Sequence, residues 1–138
     1  MSILNSTNQL PDLTRKLNKR EASISPRILE WFHTKYPYSW FIEIKATKTN
    51  TIPLSAVKPH QLKALIDCQS PTGFKHKMSD IGRIRQPFDA FGAKNAHAFV
   101  VCAFLSHHLC FAFDPSTWHG ASINSKDQIF SIPLWSKA

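Results

Sequence analysis

"SWFIEIKATKT", residues 39–49, sets a carboxylate and an amine into an otherwise apolar, aromatic and β-branched run. That composition predicts a strand over roughly 39–47. Side chains of a strand alternate between faces. Phe41, Glu43 and Lys45 therefore share one face, and Trp40, Ile42 and Ile44 share the other. Burying an ionised carboxylate among apolar neighbours costs several kcal/mol unless it is paired or bound to a cation. The chain has only nine acids, so their placement matters. Taken alone, Glu-x-Lys is a common tripeptide, and a cross-strand ion pair on a solvent-facing side accounts for it.

Upstream, residues 1–22 are polar and basic with no sustained period, which predicts a mobile N-terminal arm ahead of a single domain over 23–138. "SISPRILEWFHTKY" follows. Ser25 is a candidate N-cap with Pro26 at the first helical position, and Ile28, Leu29 and Phe32 fall on one side. Pro37 ends that helix, because the residue before a proline is pushed out of helical geometry. Downstream of the strand, the polar "TKTNT" loop leads to "SAVKPHQLKALIDCQ". Pro59 lies near the start of this second helix, Leu62, Leu65 and Ile66 face inward, and "SPTG" closes it at Gly73.

"FKHKMSDIGRIRQPFDAFG" predicts a strand, a basic loop and a short strand over 88–91. "HAFVVCAFL" is apolar on both alternations, as a central strand buried on two faces must be. "HLCFAFD" predicts its hairpin partner. "SKDQIFSIPLW" predicts an edge strand limited by Pro133. The fold class is α/β, a central mixed sheet flanked by helices.

Seventeen Lys and Arg against nine Asp and Glu give a formal charge of +8 over 138 residues. This is the footprint of a protein that meets a polyanion. An apolar fraction of 43% with ten Phe and four Trp excludes a disordered chain. No apolar run approaches bilayer length, and the N-terminus lacks the charged-then-apolar order of a secretory signal. No membrane partner is expected. Cys68, Cys102 and Cys110 lie in apolar surroundings, an odd number without a disulfide framework, which fits a reducing, cytoplasmic or nucleoid-associated setting. His107, His108, Cys110 and His119 match no compact zinc spacing. Four glycines leave no phosphate-cradling loop, and no Gly-x-Ser-x-Gly elbow is present.

Glu-Ile-Lys at 43–45, followed by Thr47 and "TNTIPLSAVKPHQLKAL", resembles the Glu-x-Lys strand, threonine-rich loop and His-Gln helix of Holliday junction resolvases of the recombination protein U type, within the PD-(D/E)XK nuclease superfamily. "KMSDIGRIRQPFDAFGAKNAHAFVVCAF" is similar to the Pro-Phe-Asp element of such proteins. The resemblance spans roughly residues 40–104. It implies a restriction-endonuclease-like core, a phage-encoded or bacterial setting, and Mg²⁺- or Mn²⁺-dependent cutting of branched DNA by a homodimer, with a nuclease acting on other DNA, as in repair or restriction, as an alternative.

Under that resemblance Glu43 and the Ile44 carbonyl are metal ligands, since Mg²⁺ takes oxygen donors. Lys45 orients water or neutralises phosphate charge, Thr47 continues the face toward substrate, and Gln61 contacts the water or phosphate. The pattern also places an Asp on a strand before Glu-x-Lys, but residues 31–42 contain no acid. Asp89 of "QPFDAF" is the preferred second carboxylate, in a neighbouring sheet position. Asp80 and the helical Glu30 are alternatives, and a degenerate, non-catalytic binding site is a further one. Candidate DNA contacts form three basic clusters. Lys48 and Lys58 follow the motif strand; Lys75, Lys77, Arg83 and Arg85 lie between residues 74 and 87; Arg15, Lys16, Lys19 and Arg20 load the N-terminal arm.

Overall fold

The computed structural model describes residues 12–78, 87–119 and 125–135, with side chains described from Glu21 onward. Helix α1 spans Asp12–Lys35 and leads into strand β1, Trp40–Thr47. Helix α2, Pro59–Gln69, carries the chain toward a short ribbon of β2, Phe74–Lys77, and β3, Ala90–Ala93. Strands β4, His97–Phe104, β5, Leu109–Phe113, and β6, Phe130–Ser131, complete the order.

The main sheet runs β1-β4-β5-β6. β1 and β4 are parallel, while β4–β5 and β5–β6 are antiparallel. A parallel pair needs a long crossover, and the segment containing α2 and the ribbon supplies it. The architecture is thus α/β with a mixed central sheet and helices. β4 is the central strand, buried from Ala98 to Ala103, as its unbroken apolar run requires. β6 stops at Ser131, two residues short of Pro133, in keeping with an edge that a proline limits.

Alternation along β4 sorts the interior into two cores. Phe99, Val101 and Ala103 meet Ile24, Ile28 and Phe32 of α1, with Trp40, Ile42, Ile44 and Ala46 of β1 packed against them. Ala98, Val100 and Cys102 meet Leu65 and Cys68 of α2, together with Val57, Phe113 and Trp118. Trp118 is tied across that layer by its indole N–H, which donates to the Leu54 carbonyl at 2.9 Å.

Three expectations from the sequence need correction. α1 does not begin at Ser25; it is already helical at Asp12, and Pro26 lies inside it. The Ser25 hydroxyl donates backward to the Glu21 carbonyl instead of capping a helix start. Pro26 removes one bond to the Ala22 carbonyl. Both residues are exposed, so water can satisfy that oxygen. Leu29 and Ile66, expected to face inward, are exposed at 45% and 37%. Finally, the second short strand runs over 90–93 and pairs with β2 in a separate two-stranded sheet, so the strands do not all belong to one sheet.

Candidate metal and phosphate site

Glu43 and Lys45 stand opposite Val100 and Cys102 in the β1–β4 register, so both point to the α2 side of the sheet. There they make an ion pair of 3.2 Å between Lys45 Nζ and Glu43 Oε1. The Glu43 side chain keeps only 26% of its accessible surface and the Lys45 side chain 17%. The pair is half-buried, which a solvent-facing cross-strand pair would not be. Coulomb attraction strengthens as water is removed, so here the two groups hold each other firmly.

Gln61 closes the arrangement from α2. Its Nε2 donates to Glu43 Oε1 at 3.1 Å, and its Oε1 accepts the Lys58 main-chain N–H at 3.0 Å. The second bond satisfies an N–H at the helix start, and the first holds the carboxylate. One side chain thus fixes the start of α2 to the charged pair of β1. Both contacts to Glu43 fall on Oε1.

A further carboxylate enters from α1. Burial pushes the Glu21 carboxyl above the ordinary carboxylate range; the Lys45 ammonium opposes that rise and the Glu43 carboxylate adds to it. Glu21 therefore lies within the electrostatic field of the β1 pair. Sequence reasoning missed Glu21 because it started the helix at Ser25. The signal was present: Glu21 precedes Ile24, Ile28 and Phe32 at helical spacings, placing an acid in the inward stripe.

The other expected acids are placed elsewhere. Asp89 immediately precedes β3, is exposed, and its main-chain carbonyl accepts the Met78 N–H at 2.7 Å. Its strand pairs with β2; the neighbour of β1 is β4, so Asp89 is not in the sheet position expected for it. Glu30 is exposed on α1 and accepts from the Thr34 hydroxyl at 3.0 Å. Nine residues at ~100° each put Glu30 about half a turn away from Glu21. Asp80, Arg83 and Arg85 lie outside the described residues.

Among the basic candidates, Lys48, Lys58, Lys75 and Lys77 are exposed, and Arg15, Lys16, Lys19 and Arg20 fall in the first turns of α1. Beyond Lys45, the hydroxyls of Thr47 and Thr49 link to each other and to the main chain of Thr51. Thr47 Oγ1 and Thr49 Oγ1 are 2.8 Å apart, and Thr49 Oγ1 donates to the Thr51 carbonyl at 2.9 Å. This fixes the loop that carries Lys48.

Among the described residues no group of three or more His, Cys, Asp and Glu stands together as a metal-ligating set. The donors on β1 are oxygen donors: the Glu43 carboxylate and the Ile44 carbonyl between the two motif residues. They suit a hard cation that keeps several of its waters, and do not suit zinc. No helix among the described residues is long and apolar enough to cross a membrane. No family model, no curated protein and no solved structure matches the chain.

Proposed function

We propose that this chain is a metal-dependent, structure-selective DNA endonuclease of the Holliday junction resolvase kind, acting as a homodimer. The observation that carries the reading is the half-buried Glu43–Lys45–Gln61 cluster, with Glu21 in its field. A strand and a helix converge on one carboxylate oxygen, in a chain whose formal net charge is +8. The sequence resemblance over residues 40–104 assigns chemistry to the same three residues.

Phosphodiester hydrolysis needs charge neutralisation at the phosphate and an activated water, and Mg²⁺ or Mn²⁺, when bound, would supply Lewis acidity there. Glu43 would hold the ion through Oε2 with the Ile44 carbonyl, and Glu21 would add carboxylate charge to the field around it. Lys45 would then turn from Glu43 toward the non-bridging phosphate oxygens. Gln61 keeps the Glu43 carboxylate in one orientation throughout. Lys48 and Lys58 position the strand by phosphate contacts that read no sequence. Two symmetric cuts in a four-way junction call for two copies related by a two-fold axis.

The test is Mg²⁺-dependent nicking of a synthetic four-way junction by the wild-type chain and by Glu43→Ala, Glu21→Gln and Asp89→Asn. Nicking that is lost in Glu43→Ala and Glu21→Gln but kept in Asp89→Asn is the expected pattern. Binding without cutting by the wild-type chain would overturn the enzyme reading. One observation favours that second reading, a nucleic-acid-binding module of the same fold. Lys45 already neutralises Glu43, and no three-residue ligand group is present among the described residues.

A further inference from the structure

The β2–β3 ribbon is an insertion between α2 and β4 whose two faces differ in chemistry. Register pairs Phe74 with Ala93 and His76 with Phe91 on one face, and Lys75 with Gly92 and Lys77 with Ala90 on the other. The first face is aromatic and attached to the sheet. Phe91 stacks on Phe41 with centroids 5.9 Å apart, and Phe41 lies two residues before Glu43. His76 stacks beside Phe74 at 5.9 Å.

The second face presents two exposed lysines opposite the two smallest side chains. Among the described residues, a Cβ added at Gly92 would meet only the Phe74 carbonyl, at an ordinary 3.7 Å. Two exposed cations thus stand side by side on one face of the ribbon. At the end of β3, Phe88 is 49% exposed, resting edge-on to Phe91 with centroids 6.4 Å apart. An aromatic ring left in water on a ribbon that also carries exposed cations is suited to stack on an unpaired base.

We infer that the β2–β3 ribbon is a DNA-docking arm, with Lys75 and Lys77 on the phosphate backbone and Phe88 stacking on a base exposed at a branch point. The inference rests on the DNA-binding part of the proposed function. The occupant follows from charge complementarity: the lysine face carries two cations and meets no acid across the register. Because Phe91 ties the ribbon to Phe41, DNA held on it is delivered next to Glu43 and Lys45.

The experiment is equilibrium binding of the full chain, without divalent cation, to a labelled four-way junction and to linear duplex, across a salt series. Lys75→Glu with Lys77→Glu is expected to weaken both DNAs more than tenfold. It should also flatten the log–log salt dependence by about 2, the slope of two lost phosphate contacts. Lys35→Glu with Lys126→Glu, the same charge change at exposed sites off the ribbon, should leave the slope nearly unchanged.

Phe88→Ala should weaken the junction by about 5- to 150-fold, the range of one lost base stack, and leave linear duplex unaffected. An unchanged slope in the ribbon pair, or an equal loss in the control pair, overturns the docking arm. Equal effects of Phe88→Ala on both DNAs, or none, overturn the stacking role. The nuclease reading fails separately, when wild-type chain saturates the junction and cuts nothing.

Discussion

Glu21 carries the clearest consequence at the scale of single residues. Its carboxyl is raised chiefly by burial, so the folded state binds that proton more tightly than the unfolded chain does. Folding stability from this group is therefore full below the ordinary carboxylate range and is lost as pH rises through the raised value. Glu21→Gln removes the desolvated charge. It should raise the melting temperature at pH 7, with the gain vanishing near pH 4, as followed by circular dichroism. If Glu21 also serves the proposed chemistry, the same variant loses nicking while gaining stability; a purely structural acid would show only the gain. The cysteines give the opposite kind of residue. Burial pushes the Cys102 and Cys110 thiols up to about 12, so they stay protonated and unreactive. Alkylation of both at pH 8 should proceed only at the rate of unfolding, measured by mass spectrometry against a denatured control.

Elements succeed or fail in the sequence according to whether their pattern is local. β1, β4 and β5 are legible because short runs of this length, rich in aromatic and β-branched residues, favour strand over buried helix, and the Glu43–Lys45 pair is legible with them. α1 was misjudged because Ser25-Pro26 is a strong local start signal, and only packing against the sheet shows that the helix continues through it. Glu21 was lost with that boundary. The separation of β2 and β3 from the main sheet was equally hidden, since strand partners are set by distant residues such as Phe41 and Phe91. Gly73 marks where α2 gives way to β2, and its backbone has φ of +84°. A Cβ there would lie 2.5 Å from the Ala93 carbonyl oxygen. Gly73→Ala should cost about 2 kcal/mol or more, combining left-handed strain with that clash, in a urea titration. Gly92→Ala on the same ribbon, with open space and no positive φ, should leave the midpoint close to wild type.

At the scale of the whole molecule, β4 is the shared wall between two cores. Phe32 reaches it from α1 and is fully buried against Phe99, with ring centroids 5.8 Å apart. Val100 faces the other way, into the layer closed by Leu65 and Trp118. Neither layer can lose its packing while the other keeps a well-ordered β4, because successive residues of one strand serve both. The site depends on both layers as well: Glu43 and Lys45 sit on the α2 side, Gln61 comes from α2, and Glu21 comes from α1. Phe32→Ala should destabilise by about 3–5 kcal/mol, and Val100→Ala by about 2–3, through lost burial and the cavities left behind. The decisive readout is the number of transitions. Unfolding followed by tryptophan fluorescence, which sees Trp31 and Trp40 on the α1 side and Trp118 on the α2 side, should coincide with far-UV circular dichroism in both variants. Separate midpoints for the two probes in either variant would mean that α1 and its layer unfold alone, and that Glu21 can leave the site without loss of the remaining fold.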